Sequence, residues 1–161
     1  MDRLWSPWRM EYIQAAKEGE GEGCIFCDLP AKGDDAATHI LARGEHGFVL
    51  LNAFPYNPGH VMVAPFRHSG DLEGLSDEES LDLDRLLRRA MTALREGMEP
   101  HGFNVGMNLG RVAGAGIPDY LHWHVVPRWT GDTNFMPVVG KTRVLPELLE
   151  ETYRRLARRF A

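Results

Sequence analysis

The run Tyr120-Leu121-His122-Trp123-His124-Val125-Val126-Pro127-Arg128 constrains this chain more than any other stretch. It alternates with period two and is rich in aromatic and β-branched residues, so it reads as a β-strand. On a strand, Tyr120, His122 and His124 face one way, while Leu121, Trp123 and Val125 face the other. Two imidazoles then project from one face, about 7 Å apart along the strand. One can attack a substrate while the other holds it. Immediately upstream, Asn108-Leu109-Gly110-Arg111-Val112-Ala113-Gly114-Ala115-Gly116 is glycine-rich, leaving backbone N–H groups free to approach an anion. Taken singly, an H-x-H pair is as readily structural, and a Gly-x-Gly loop is a weak signal. Adjacent in one strand–loop–strand unit, they point to chemistry at phosphorus.

The remaining composition suits a small enzyme. A length of 161 residues is most simply one domain, able to bury a core without staples. The net charge of −5 argues against a nucleic-acid coat or a membrane-surface protein. There is no apolar run of about 18 residues to span a membrane. Met1 to Tyr12 lacks the basic start and apolar core of a signal peptide, so a cytoplasmic location is expected. No carboxylate pair, GxxxxGK[ST] loop or H-E-x-x-H occurs, which leaves glycosidase, P-loop and metalloprotease chemistry without their parts.

Strands are expected at 38–42, 46–52, 59–65, 102–109 and 120–127. Ser76-Asp77-Glu78-Glu79 is a capping box that opens a helix ending near Gly97, with Leu81, Leu83, Leu86, Leu87, Ala90, Met91 and Leu94 apolar. Its Arg85, Arg88 and Arg89 read as solvated face. A second helix runs from about Pro146 to Arg159, with Leu148, Leu149, Tyr153, Leu156 and Phe160 on one side. Short-linked strands in the middle make an α+β fold with a largely antiparallel sheet. His60 follows a turn glycine and reads as structural, and His101 as surface. Lys17 to Gly23 reads as a mobile linker. The aromatic-rich arm before it, Asp2 to Ala16, suits core packing, a dimer contact or a nucleobase platform.

Two cysteines in such a chain do not suggest a structural disulfide. The spacing Cys24-Ile25-Phe26-Cys27 is half a zinc site, or else a redox pair lacking the usual Trp-Cys or Cys-Gly-Pro context.

The segment Asn108 to Trp129 resembles the histidine triad (HIT) superfamily of nucleotide hydrolases and transferases. That family's signature is three histidines at alternate strand positions followed by apolar residues. The resemblance extends to Phe48–Pro65, with its Pro-Tyr-Asn-Pro-Gly-His turn, and to Gly102–Asn108, spanning roughly residues 46–130. One departure is plain: Tyr120 stands where the family has its first histidine. The resemblance implies a HIT-like domain over 1–161, with 1–23 as arm and linker, 24–130 as core and 131–161 as C-terminal extension and helix. It also implies a homodimer whose sheets join. His122 matches the nucleophile and His124 the histidine that contacts the phosphate. Asn108 would steady the non-bridging oxygens, and the amides of Gly114, Ala115 and Gly116 would form an anion nest. Asn52 matches the ribose-contacting asparagine, although it also suits capping of the following turn. In zinc-bearing members the ligands match Cys24, Cys27 and His68, with Tyr120 in the fourth place. A phenol is a poor zinc ligand. The fourth ligand of a structural zinc would then be water, His39 or His46; equally, the site could be vestigial.

Within the family, Leu4–Tyr12, the loop Ala113–Gly116 and the tail Val126–Pro137 are similar to the bacterial diadenosine tetraphosphate phosphorylases. That similarity implies a nucleotide substrate, accompanied by a divalent cation on its polyphosphate, and phosphorolysis to ATP and ADP. A dinucleoside polyphosphate or phosphoramidate hydrolase, and a non-catalytic nucleotide sensor, are the alternatives. No nucleic-acid or membrane partner is expected.

Overall fold

The computed structural model describes residues 23–132 and 147–160. The N-terminal arm, most of the expected linker and the tail around Phe135 lie outside the described residues. Within them the order is α1 (Ile25–Ala31), α2 (Asp35–Thr38), β1 (Ile40–Arg43), β2 (Gly47–Leu51), β3 (Val61–Pro65), α3 (Asp77–Met98), β4 (Gly102–Gly106), β5 (Trp123–Arg128) and α4 (Leu149–Phe160). The strands form one sheet in the order β1-β2-β3-β5-β4, and every pairing is antiparallel. The expected α+β architecture stands.

Strand alternation divides the molecule. Val49, Leu51, Val61, Val63 and Val125 face α3 and α4, meeting Leu83, Leu86, Ala90, Leu94 and Leu156 in one apolar cluster. Phe48, Leu50, Met62 and Ala64 face the other way, meeting Phe26 of α1 and Tyr120. With both faces covered, β2 and β3 are buried along their whole length. Strand β4 forms one edge and keeps Val105 41% exposed.

The capping box forms as the spacing predicts: Ser76 Oγ accepts from the Glu79 amide and Glu79 accepts from the Ser76 amide. The helix runs past Gly97 to Met98 and closes on Glu99, in the left-handed region, with Pro100 next. Gly97 is therefore a packing glycine. A Cβ there would lie 3.2 Å from Leu156 Cδ2, so its absence lets α4 approach. Helix α4 starts three residues later than expected, and Leu148 is 69% exposed rather than on the core side. Thr152 is buried instead, its hydroxyl donating to Glu147 and to the Leu148 carbonyl. No described helix is long and apolar enough to cross a membrane.

The last strand begins at Trp123, not Tyr120. Its ladder with β3 stops at the Val63–Trp123 pair, because Pro65 has no N–H to offer and the Leu121 amide donates to Ser69 O at 2.7 Å. The facing holds nonetheless: Tyr120 packs with Phe26, and His124 lies opposite Met62. Helices α1 and α2 were not expected; at seven and four residues they are too short to show a period.

Candidate active site

His122 sits just ahead of β5, 7% exposed. Its Nδ1 lies 3.0 Å from Tyr120 O. A carbonyl only accepts, so Nδ1 carries the hydrogen and Nε2 keeps its lone pair. Burial pushes the His122 pKa below the ordinary histidine value, which keeps that lone pair free of a proton. One backbone carbonyl and desolvation thereby leave His122 Nε2 with a free lone pair, which is what a nucleophile requires.

His124 presents its ring edge-on to His122, with centroids 4.8 Å apart. Behind it stands His60, fully buried, with Nε2 3.0 Å from His124 Nδ1. The tautomers of this pair follow from its neighbours. His60 Nδ1 accepts from the Tyr56 amide at 3.1 Å, with Asn52 Nδ2 a further contact at 3.4 Å. The hydrogen of neutral His60 is then on Nε2, donated to His124 Nδ1. Neutral His124 consequently carries its own hydrogen on Nε2, as a donor to an oxyanion. His60 is therefore also the hydrogen-bond partner of His124. The signal was its even position, which places it on the same sheet face as Met62 and His124, but its partner is 64 residues away.

Asn52 uses Oδ1 to accept from the Phe54 amide at 2.9 Å, which is the turn-capping role. Asn108 and His124 line a cavity of about 350 Å³ together with Tyr56, Asn104, Val126 and Arg128. The glycine loop contributes less. The Gly114 amide donates to Arg111 O and the Ala115 amide to Gly110 O, so two of the three nest amides serve the loop's own turns. His122, Asn52, Gly114, Ala115 and Gly116 are not among the residues lining this cavity; His122 borders it through its ring contact with His124. Sequence reasoning also missed its far end. There, Arg128 makes two hydrogen bonds to Asp132 and one to Asn104, and buried Asn57 donates to Asp132 and Pro127 O.

A second cluster lies on the same side of the sheet. The ligand atoms of Cys24, Cys27 and His68 all fall within 4.8 Å of one another, and Cys27 Sγ is 3.4 Å from His68 Nδ1. Both the Cys27 and Asp28 amides donate to Cys24 O, the tight turn that brings the thiols together. Burial, then the neighbouring Cys24, pushes the Cys27 thiol up. Two sulfurs and one imidazole nitrogen suit a zinc-like cation, and among the described residues no fourth ligand joins them. Tyr120 does not fill it. Its hydroxyl donates to the Pro65 and Phe66 carbonyls, and burial holds it protonated far above the ordinary phenol value. Nor do the two histidines considered for that place join the group: His39 packs edge-on to Tyr153, and the His46 ring lies beside Glu45. The segment carrying His68 is anchored by Arg67, which bonds both oxygens of Glu79 at 2.7 and 2.8 Å. Arg67 and the Ser76 amide hold the Glu79 carboxyl down at about 2.

The model of the HIT domain matches residues 34–131. The AP-4-A phosphorylase of Mycobacterium tuberculosis is 41% identical over 167 aligned positions, covering 100% of this chain and 85% of that protein. The adenosine 5'-monophosphoramidase hnt1 of Schizosaccharomyces pombe is 32% identical over 105 positions, 65% of this chain and 74% of that one. Among solved structures, a Zn-bound histidine triad family protein from Mycobacterium smegmatis superposes with a TM-score of 0.68 at 28% identity. That match covers 86% of this chain and 93% of the other. With two of the three alternating positions occupied by histidine and a tyrosine in the first, the chain belongs to the HIT family.

Proposed function

We propose that this protein transfers a nucleotidyl group through a covalent histidine intermediate, splitting diadenosine tetraphosphate with inorganic phosphate into ATP and ADP. The observation that carries this reading is the His122 Nδ1 contact to Tyr120 O, which leaves Nε2 its lone pair on a ring 4.8 Å from that of His124. In the first step His122 Nε2 attacks the phosphorus of one AMP unit. The N–P bond forms as the bridging P–O bond breaks, and ATP leaves. Phosphate oxygen then attacks the same phosphorus, the N–P bond breaks, ADP departs and the imidazole is restored. His124, its Nδ1 held by His60, donates from Nε2 to the oxygens as charge develops, alongside Asn108. Asn52 would contact the ribose, and the amide of Gly116, with those of Gly114 and Ala115 after the loop rearranges, the phosphates.

The likeness to the AP-4-A phosphorylase over the whole chain supports this substrate. Phosphate as acceptor is favoured on chemical grounds. It arrives as an anion, whereas water benefits from a general base. The carboxylate next to Tyr120, Asp119, is exposed to solvent. Hydrolysis is the second reading, supported by the similarity to a monophosphoramidase. We also assign a structural zinc to Cys24, Cys27 and His68, a divalent cation to the polyphosphate substrate, and a homodimer joined through the open edge of β4. The zinc would supply cross-linking of α1 to the segment after β3, and no step of the reaction passes through it.

Product analysis tests the reaction. With diadenosine tetraphosphate, ATP plus ADP formed only in the presence of phosphate is the expected outcome. ATP plus AMP regardless of phosphate would make the protein a hydrolase, and no turnover would favour a phosphoramidate substrate or a sensor.

A further inference from the structure

Phe26 lies between the two cysteines on α1 and is 1% exposed. Its ring centroid is 4.9 Å from that of Tyr120 and 4.9 Å from that of His122, tilted by 36° and 33°. It therefore touches both the candidate nucleophile and the residue whose carbonyl orients it. One hydrogen bond to Tyr120 O fixes one atom of the His122 ring but leaves rotation about that bond to be limited by packing. A flat ring against the imidazole supplies that limit. Tyr120 is held from its other end, where the hydroxyl is tied to two carbonyls and the ring lies 5.0 Å from His68.

Helix α1 cannot hold this position by itself. It has seven residues, contains Pro30 and lacks a side-chain cap at Cys24. Besides the burial of Phe26 itself and the Arg43 bond to Pro30 O, its attachment is the cluster it carries, since Cys24 and Cys27 flank Phe26 and meet His68, which follows β3. We propose that Phe26 is a positioning residue for His122, and that the Cys24–Cys27–His68 cluster sets the nucleophile's orientation by holding Phe26 against it. This rests on His122 being the nucleophile. The state of the thiols is thereby coupled to His122 through the Phe26–His122 ring contact, and a metal held by the cluster would not touch substrate.

The test uses the full-length protein with Phe26→Leu, Phe26→Ala and the double variant Cys24→Ser/Cys27→Ser. It reads steady-state kinetics with diadenosine tetraphosphate beside the ¹⁵N NMR signals of the His122 imidazole. Phe26→Ala should lower kcat roughly 10- to 100-fold with little change in KM, the scale expected of a misplaced reacting group. The slowly exchanging Nδ1–H signal of His122 should be lost with it. Phe26→Leu, which keeps the apolar volume and the fold, should fall between. The serine double variant should show the same loss of the Nδ1–H signal with Phe26 in place. An unchanged kcat and an unchanged signal in Phe26→Leu and Phe26→Ala overturn the positioning role. An unchanged signal in the serine variant overturns the part given to the cluster. If wild type turns over no dinucleotide but the signal still responds to Phe26, the positioning contact stands and the proposed reaction fails.

Discussion

The two faces of the sheet differ in what covers them. One is closed by α3 and α4, 22 and 12 residues long, and its cluster consists of apolar side chains. The other is closed by the seven-residue α1 and by loops, and it carries His60, His122, His124 and the thiol cluster beside Phe48, Leu50 and Met62. The same alternation along β3 and β5 writes both. Long helices bury apolar area without asking anything of the side chains except shape. Short, irregular cover lets polar groups reach a cavity and still find partners, as the chain from the Tyr56 amide through His60 to His124 does. Stability is thus concentrated on one face and chemistry on the other.

That division can be broken by experiment. The largest expected effect is on the chemical face: His122→Ala should lose at least about 10³-fold in kcat, because no second group replaces a covalent nucleophile. Nucleotide should still bind, and urea unfolding should show a smaller loss of stability than the loss of an apolar core side chain on the other face. Leu94→Ala on the other face should do the reverse. It removes a side chain 1% exposed in the apolar cluster beneath α3 and should cost about 2–5 kcal/mol in urea unfolding. Its kcat per folded molecule should match wild type. A fall in kcat for Leu94→Ala at temperatures where it is folded would mean that the faces are not independent.

His60→Ala should fall between these two and sharpen the comparison, since it tests a residue that is both buried and polar. It strands the Tyr56 amide and His124 Nδ1, at a cost of about 1–3 kcal/mol. It also frees His124 to adopt the other tautomer, so kcat should drop by about tenfold, less than the roughly 10²- to 10⁴-fold that a positioned proton donor contributes, because the His124 ring itself remains. A loss of stability with kcat intact would assign His60 to structure alone.

Much of this division could be read from residue order. Period-two alternation from Tyr120 to Arg128 locates β5 and its faces, and Ser76 with Glu79 locates the start of α3. What escaped was decided by partners distant in the chain. The true start of β5 depends on Pro65 and on Ser69 O, and the exit of α3 on its packing against Leu156. The even position of His60 marks its face but not its distant partner, and Phe26 has no local mark at all: its neighbours in sequence are the thiols and its neighbours in space are Tyr120 and His122. The glycine loop misled in the opposite sense. Its composition suggests free amides, but folding it into consecutive turns engages two of them.

The smallest effect expected is on the pH dependence, and it separates the faces most cleanly. Burial lowers the His122 pKa in the folded state, while the unfolded chain keeps a value near 6.5. Below that value the unfolded state binds more protons at this site, so stability falls with falling pH. The contribution is complete above about 6.5 and is lost as the pH drops through the lower folded value. Kinetically the same shift extends the free lone pair, and with it turnover, to pH values more acidic than an ordinary histidine allows. Urea unfolding from pH 7.5 down to 5 should therefore give a shallower acid decline for His122→Ala than for wild type. Leu94→Ala should give a curve displaced from wild type but parallel to it, because the side chain removed does not titrate. If His122→Ala also runs parallel, protonation of the nucleophile is not what the chemical face loses in acid, and the depressed pKa assigned to it is wrong.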